Sequence, residues 1–309
     1  MILTVTLNTA LDITYHVRTL RPHGSHRVSE VTERPGGKGL NVGRVLAALG
    51  HEVTVTGFTG GATGRAVRDQ LAGTAGVVDA LVPVQGSTRR TIAVVDTTTG
   101  DTTQLNEPGP AITPAEWSAF QETYERLLRS ASAVALCGSL PPGVPVGAYA
   151  QLVRTARASA VPVLLDTSGE PLRRGVAARP DIVKPNAEEL AELTGSHDPS
   201  QATRSARRRG AHTVVASLGA EGLLVENAAG RWRAAPPRRV HGNPTGAGDS
   251  AVAGLLSGLV EDLPWPERLA RAVALSAATV LAPAAGEFDR AAYEALAGQV
   301  AVTSEASAA

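Results

Sequence analysis

The octapeptide Asn243-Pro-Thr-Gly-Ala-Gly-Asp-Ser250 runs straight into a stretch of small residues, Ala251-Val-Ala-Gly-Leu-Leu. A glycine-rich turn that opens a helix leaves backbone N–H groups unpaired at the positive end of the helix dipole. Gly246, Ala247 and Gly248 are therefore a candidate hole for developing phosphate charge. A carboxylate inside such a hole would repel a phosphate that was merely bound. It makes sense as a base taking a proton from an attacking hydroxyl, so Asp249 is the candidate catalytic base; an N-capping aspartate is the plainer role. Gly246-x-Gly248-x-x-Ala251 also fits a dinucleotide fingerprint, but that motif belongs between a first strand and its helix, with an acidic residue about 20 positions on. Here it lies late in the chain and puts Asp249 in the path of a pyrophosphate, so that reading is rejected.

Gly36-Gly-Lys-Gly-Leu-Asn41 is a second turn of this kind. No Ser or Thr follows its lysine and its glycine spacing is wrong for a P-loop. Gly36 and Gly37 allow close backbone approach to a ligand, Lys38 can hold a phosphate, and Asn41 can bond hydroxyls from the first helical turn. A glycine turn that only caps a helix is the competing reading. Asp12 follows the first strand-like run, at the edge where open α/β sheets bind ligands, and suits either sugar hydroxyls or its own turn. Of the 29 basic residues only Lys38 and Lys184 are lysine, leaving 27 arginines. Genome composition accounts for much of such a bias, yet an ammonium differs from a guanidinium in shape and hydration, which makes both lysines site candidates.

These residues need a scaffold, and the apolar pattern supplies one. Strand-like runs recur at 2–7, 53–58, 133–136, 161–165, 181–183 and 213–217, several of them continuous, as in buried parallel strands. Helical patterns lie between or after them at 40–49, 114–128, 145–158, 187–193 and 199–209, and again at 247–259, 265–281 and 290–300. Strand alternating with helix predicts a mainly parallel sheet covered on both faces, an α/β fold. Two segments, about 13–34 and 88–104, alternate without helices, the second as a hairpin around Thr99-Gly100-Asp101. They read as a small sheet inserted in a single domain spanning 1–309, either a lid or dimer contact or ordinary surface hairpins. The tail from Thr303 reads as fraying.

Composition narrows the function further. With 29 basic and 29 acidic residues there is no global field for nucleic acid or an anionic membrane, so no nucleic-acid or membrane partner is expected. The lone Cys137 excludes an intramolecular disulfide and a cysteine-based zinc site. The N-terminus lacks a basic region and a cleavage pattern, and no stretch gives about 18 uninterrupted apolar residues, which reads as cytoplasmic.

The chain resembles the PfkB, or ribokinase-like, carbohydrate kinases, and within them the 1-phosphofructokinase and tagatose-6-phosphate kinase branch. The resemblance rests on nine segments in order: Thr4-Val-Thr-Leu-Asn-Thr-Ala-Leu-Asp12, Gly36-Gly-Lys-Gly-Leu-Asn41, Gly57-Phe-Thr-Gly-Gly61, Ser87-Thr-Arg89, Gly138-Ser-Leu-Pro-Pro-Gly143, Leu165-Asp-Thr-Ser-Gly-Glu170, Val183-Lys-Pro-Asn-Ala-Glu-Glu189, Ser217-Leu-Gly-Ala-Glu-Gly222 and the Asp249 loop. It implies a nine-stranded-like central sheet flanked by helices, a small β-lid, and ATP and Mg2+ beside a sugar in one groove. It also implies Asp249 as base over the Gly246–Gly248 anion hole. Asp12, Gly36, Gly37, Lys38 and Asn41 would face the sugar phosphate, with Ser139 on the same side and Arg89 on the phosphate. Asn186 and Glu189 would organise magnesium and nucleotide phosphate, and Lys184, Ser217, Gly219 and Gly222 would line the nucleotide side.

The departures from the family pattern are Asn243-Pro-Thr in place of the usual residues before the Gly-Ala-Gly-Asp turn, and Arg90-Thr-Ile after Arg89. Successive strand residues point to opposite faces, so one of Arg89 and Arg90 reaches the ligand, and the pattern favours Arg89. His26-Arg27 either adds a phosphate contact, across a homodimer formed through the lid, or is a solvated cluster. Phosphoryl transfer needs positioning and charge neutralisation rather than a covalent nucleophile, so Cys137, His16, His51, His212 and His241 are read as structural or surface residues. The expected reaction is phosphorylation of a ketohexose phosphate, fructose 1-phosphate before tagatose 6-phosphate or fructose 6-phosphate. A kinase of an unphosphorylated sugar or nucleoside and a non-catalytic sugar-nucleotide sensor are the alternatives.

Overall fold

The computed structural model describes residues 1–305. In chain order the elements are β1 (Ile2–Thr6), β2 (Ala10–Val17), β3 (Glu30–Gly36), α1 (Lys38–Ala48), β4 (Val53–Thr59), α2 (Gly61–Ala72), β5 (Val77–Asp79), β6 (Val82–Pro83), β7 (Arg89–Asp96) and β8 (Thr102–Asn106). Next come α3 (Pro114–Leu128), β9 (Ala133–Cys137), α4 (Ala148–Ala158), β10 (Val163–Asp166), α5 (Gly169–Ala177), β11 (Ile182–Val183), α6 (Ala187–Thr194), α7 (Pro199–Arg208) and β12 (Thr213–Ser217). The chain closes with β13 (Leu223–Asn227), β14 (Gly230–Ala234), α8 (Ala247–Val260), α9 (Trp265–Val280), α10 (Arg290–Ala297) and β15 (Val302–Glu305).

The main sheet has the order β15-β14-β13-β12-β11-β10-β9-β1-β4-β5, with β6 also on β4. It is parallel from β12 to β5, while β13, β14 and β15 add antiparallel strands at one edge. That makes eleven strands where the resemblance implied nine, and the tail expected to fray pairs with β14 as far as Glu305; the rest of it lies outside the described residues. Alternation along buried strands sends Leu3 and Val5 into one core and Ile2 into the other. The first core lies under α3 to α7, around Phe120, Tyr124 and Tyr149; the second lies under α1, α2, α8 and α9, around Leu46, Val252 and Leu255. Truncating a fully buried leucine such as Leu255 costs about 2–5 kcal/mol.

Helix starts follow their caps. Thr113 and Glu116 form a capping box ahead of α3 with Pro114 at its first position, and Asp198 caps α7 before Pro199. The helix expected from 145 begins at Ala148, with Gly147 at its N-cap. A separate four-stranded sheet, β3-β2-β7-β8, comes from the two alternating segments, and its hairpin turns where expected, with Gly100 N–H donating to Asp96 O. Its first strand starts earlier than the sequence suggested, at Ala10, while β7 starts inside the expected segment, at Arg89. Among the described residues no helix is long and apolar enough to cross a membrane.

Candidate active site

The carboxyl ends of β1, β10, β11 and β12 deliver chemistry to one edge of the main sheet, as open parallel sheets do. Asp166 ends β10, Lys184 follows β11 and Ser217 ends β12. Helices α1 and α8 pack together and start there, at Lys38 and Ala247. Gly246 makes the α8 turn possible: its φ of 84° is left-handed, and a Cβ would sit 2.8 Å from Ala285 Cα.

Asp249 occupies the first turn of α8 and is only 6% exposed. Asn41 Nδ2 donates to its Oδ2 at 2.8 Å. Burial is the main cause that pushes this carboxyl up to about 6, with Asp166 adding to the rise and Lys38, Asn41 and Lys184 opposing it. Asp166, 1% exposed, receives both lysines of the chain on a single oxygen: Lys38 Nζ lies 3.3 Å and Lys184 Nζ 3.6 Å from Oδ1. Its Oδ2 is buried without a partner. The Asp166 charge chiefly holds Lys38 protonated, well above the usual lysine range.

A cavity of about 410 Å³ joins these groups to Asp12, Gly37, Arg89, Asn186 and Glu189. Asp12 lies under Gly36, where a Cβ would come within 2.1 Å of its Cγ; burial pushes the Asp12 carboxyl up, against Arg89, Thr91 and Arg44. Arg89 gives Nε to Asn8 O at 3.2 Å and Nη1 to Glu107 O at 3.3 Å, leaving its other N–H groups for a ligand. Arg90 points away and pairs with Glu107 on the exposed side, Nη2 to Oε1 at 2.6 Å. Of the two arginines, Arg89 is the one that lines the cavity. Ser139 lines an adjoining hollow with Arg89 and accepts from Asn8 Nδ2 at 3.1 Å.

On the other flank, Ser217, Gly219, Gly222, Ala247 and Gly248 border a slot of about 620 Å³ whose far wall is Val273, Ala277 and Val280. His241, read as structural or surface, lines this slot as well. Asn186 and Glu189 form a capping box on α6: Glu189 N–H donates to Asn186 Oδ1 and Asn186 N–H to Glu189 Oε2, each at 2.8 Å. That leaves Oε1 of Glu189 without a capping role. Arg27 is exposed in the β2–β3 connection and does not reach the cavity of its own chain.

Sequence reasoning quoted the segment around Asp166 but did not single the residue out, and its position at a strand end on the ligand edge was the available signal. It also passed over Asn8, whose Oδ1 is buried without a partner, and the alanine and valine wall of the slot.

Ala247 N–H is donated to Pro244 O at 3.1 Å, against its expected part in the anion hole, because the turn before α8 closes on itself there. A carboxylate in the first turn of a helix, in a cavity holding two ammoniums, defines an α/β enzyme built to move a phosphoryl group. The chain belongs to the pfkB family carbohydrate kinases, whose profile matches residues 5–291. It is 40% identical over 290 residues to 1-phosphofructokinase from Rhodobacter capsulatus, covering 91% of this chain and 92% of that one. Phosphofructokinase-2 from Escherichia coli, solved in a tetrameric inhibited form and in complex with fructose-6-phosphate, is 29% identical and superposes with TM-scores of 0.90 and 0.89 over 96% of this chain and 98% of that one. A possible 1-phosphofructokinase from Thermotoga maritima is 27% identical, with a TM-score of 0.89 over 99% of both chains. The activity is accordingly ATP-dependent phosphorylation of an alcohol group on a sugar phosphate.

Proposed function

We propose that the enzyme phosphorylates fructose 1-phosphate to fructose 1,6-bisphosphate, with Asp249 as the base. The observation that carries the mechanism is Asp249 itself: it is buried, bonded by Asn41 and seated in the first turn of α8 beside Lys38. The acceptor hydroxyl gives its proton to Asp249 while its oxygen bonds to the γ-phosphorus. The bond from that phosphorus to the β–γ bridging oxygen breaks, and ADP leaves. Gly246 and Gly248 offer backbone N–H groups to the transferring charge, whereas the Ala247 N–H is already given to Pro244 O. Asp12, Gly36, Gly37, Lys38 and Asn41 hold the sugar, and Arg89 and Ser139 its phosphate. Lys184, Ser217, Gly219 and Gly222 hold the nucleotide.

The residues fit magnesium, which is ordinarily held by one or two carboxylates with water and substrate phosphates completing its shell. Glu189, with one oxygen outside its capping box, and the side-chain amide of Asn186 would organise it, and when bound it supplies charge neutralisation on the triphosphate. The small sheet acts as a lid over the sugar within a single kinase domain, and its exposed β8 edge suits pairing of two lids, which would bring Arg27 to a partner's site. A cytoplasmic location is consistent with the lone cysteine and the use of ATP.

The 40% identity to a 1-phosphofructokinase favours fructose 1-phosphate over fructose 6-phosphate or tagatose 6-phosphate. Arg89 and Lys38 on one cavity favour a phosphorylated acceptor over a neutral sugar or nucleoside. ADP release with MgATP, measured against these three sugar phosphates, fructose and ribose, tests the reading. Fructose 1-phosphate should give the highest kcat/KM. Preference for an unphosphorylated sugar would overturn the roles of Lys38 and Arg89, and no turnover would overturn catalysis itself.

A further inference from the structure

Arg44 belongs to none of the motifs that drew attention in the sequence, yet its side chain is only 10% exposed. It lies on α1 three residues after Asn41, the residue that holds Asp249, and so on the same helix face. Its Nη1 donates to Pro35 O at 3.0 Å and its Nη2 to Ala285 O at 2.6 Å. The first carbonyl immediately precedes Gly36, which packs on Asp12. The second belongs to the loop after α9 that touches Gly246 at the anion hole.

The guanidinium is also packed flat against that loop. A Cβ on Gly286, whose φ is +74°, would lie 2.8 Å from Arg44 Cζ. Glu287 completes the surroundings, 3.9 Å from Arg44 Nη2 and ion-paired with Arg34. Arg34 stands opposite Asp12 across the β2–β3 ladder. A cation buried between two carbonyls, with Glu287 3.9 Å off and Asp12 within electrostatic reach but no close ion pair among the described residues, is an expensive arrangement for surface decoration.

We infer that Arg44 is a positioning residue for phosphoryl transfer: its guanidinium bridges the turn that carries the acceptor site to the loop that backs the anion hole, and so sets the spacing between the two halves. It touches neither substrate. It acts through Pro35–Lys38 on one side and through Ala285–Gly286 on Gly246 on the other. The planar fork matters because two carbonyls from different segments must be met by one group, which a point-charge ammonium does poorly.

This inference rests on the phosphotransfer reading but not on which sugar is the acceptor, so the assay uses whichever acceptor the unaltered enzyme turns over. Turnover by that enzyme tests the proposed function; the ratio of variant to parent tests the role of Arg44. Arg44→Ala should lower kcat by about a hundredfold, the scale of a displacement near 1 Å, with both KM values within about threefold of the parent. Low-millimolar guanidinium, far below denaturing levels, should restore about a tenth of the lost kcat by refilling the vacated space. Arg44→Lys, which keeps the charge and much of the volume, should melt near the parent temperature and still lose kcat. That second variant decides the matter if the alanine variant does not fold. Parent-level kcat in Arg44→Lys, or a folded Arg44→Ala whose loss guanidinium does not relieve, overturns the inference.

Discussion

The acceptor flank of the groove and the nucleotide flank are built from different materials. On the acceptor flank charge is already paired before any ligand arrives: Lys38 with Asp166, Arg89 with two backbone carbonyls, Asn41 with Asp249. On the nucleotide flank the wall is Val273, Ala277 and Val280, and the opposite rim is backbone at Gly219 and Gly222. Pre-paired charge changes little when the reaction creates new charge, which is what stabilises a phosphoryl-transfer transition state. An apolar slot instead holds its ligand by area and shape. Substitutions on the first flank should therefore be felt in charge and protonation, and on the second in volume.

The largest effect should come where the flanks meet. Asp249→Ala removes the base and should cut kcat by about 10²- to 10⁴-fold while nucleotide affinity, read by titration calorimetry, stays near that of the parent. A variant retaining more than about a tenth of parent kcat would break the assignment. Next comes the acceptor phosphate: Arg89→Ala should raise acceptor KM roughly thirtyfold, equivalent to about 2 kcal/mol for a charge-assisted contact. Arg90→Ala, on the solvated face, should leave it within about twofold. Equal effects from the two would mean that the strand faces are misassigned. Ala277→Leu should fill the slot and raise KM for ATP roughly tenfold with acceptor KM unchanged, the cost of overpacking by about 1.4 kcal/mol.

The smallest prediction is a displacement of a pH profile. Asp249 must be deprotonated to act, and its carboxyl is pushed up to about 6, so kcat/KM should climb with pH through that region and level off above it. Lys38 holds that value down, so Lys38→Met should move the climb to higher pH. A midpoint that stays put or falls would mean that the climb belongs to another group.

What the sequence made legible was whatever is local. Continuous apolar runs marked six of the seven parallel strands that form the main body of the sheet, and glycine turns ahead of helical patterns marked the starts of α1 and α8 at the cavity. Helix α2 was hidden because Gly61-Ala-Thr-Gly reads as a turn, and α5 because Pro171 and two glycines interrupt so short a pattern. The β13–β14 hairpin was hidden by Glu226 and Arg231, charged residues that are buried and pair with each other across it. Asp166 was missed for a similar reason: it meets Lys38 across 128 residues, and no window of sequence contains both. Both lysines singled out in the sequence line one cavity, and there they meet on a single carboxylate.

That shared carboxylate gives the protein an unusual surface for labelling chemistry. Amine-reactive reagents meet only the N-terminus and two side chains in the whole chain, and Lys184 is 4% exposed where Lys38 is 40% exposed. A limiting dose of such a reagent therefore labels the N-terminal amine first, because Asp166 keeps Lys38 protonated and without a lone pair to react; loss of the Asp166 charge would open Lys38 as a second site.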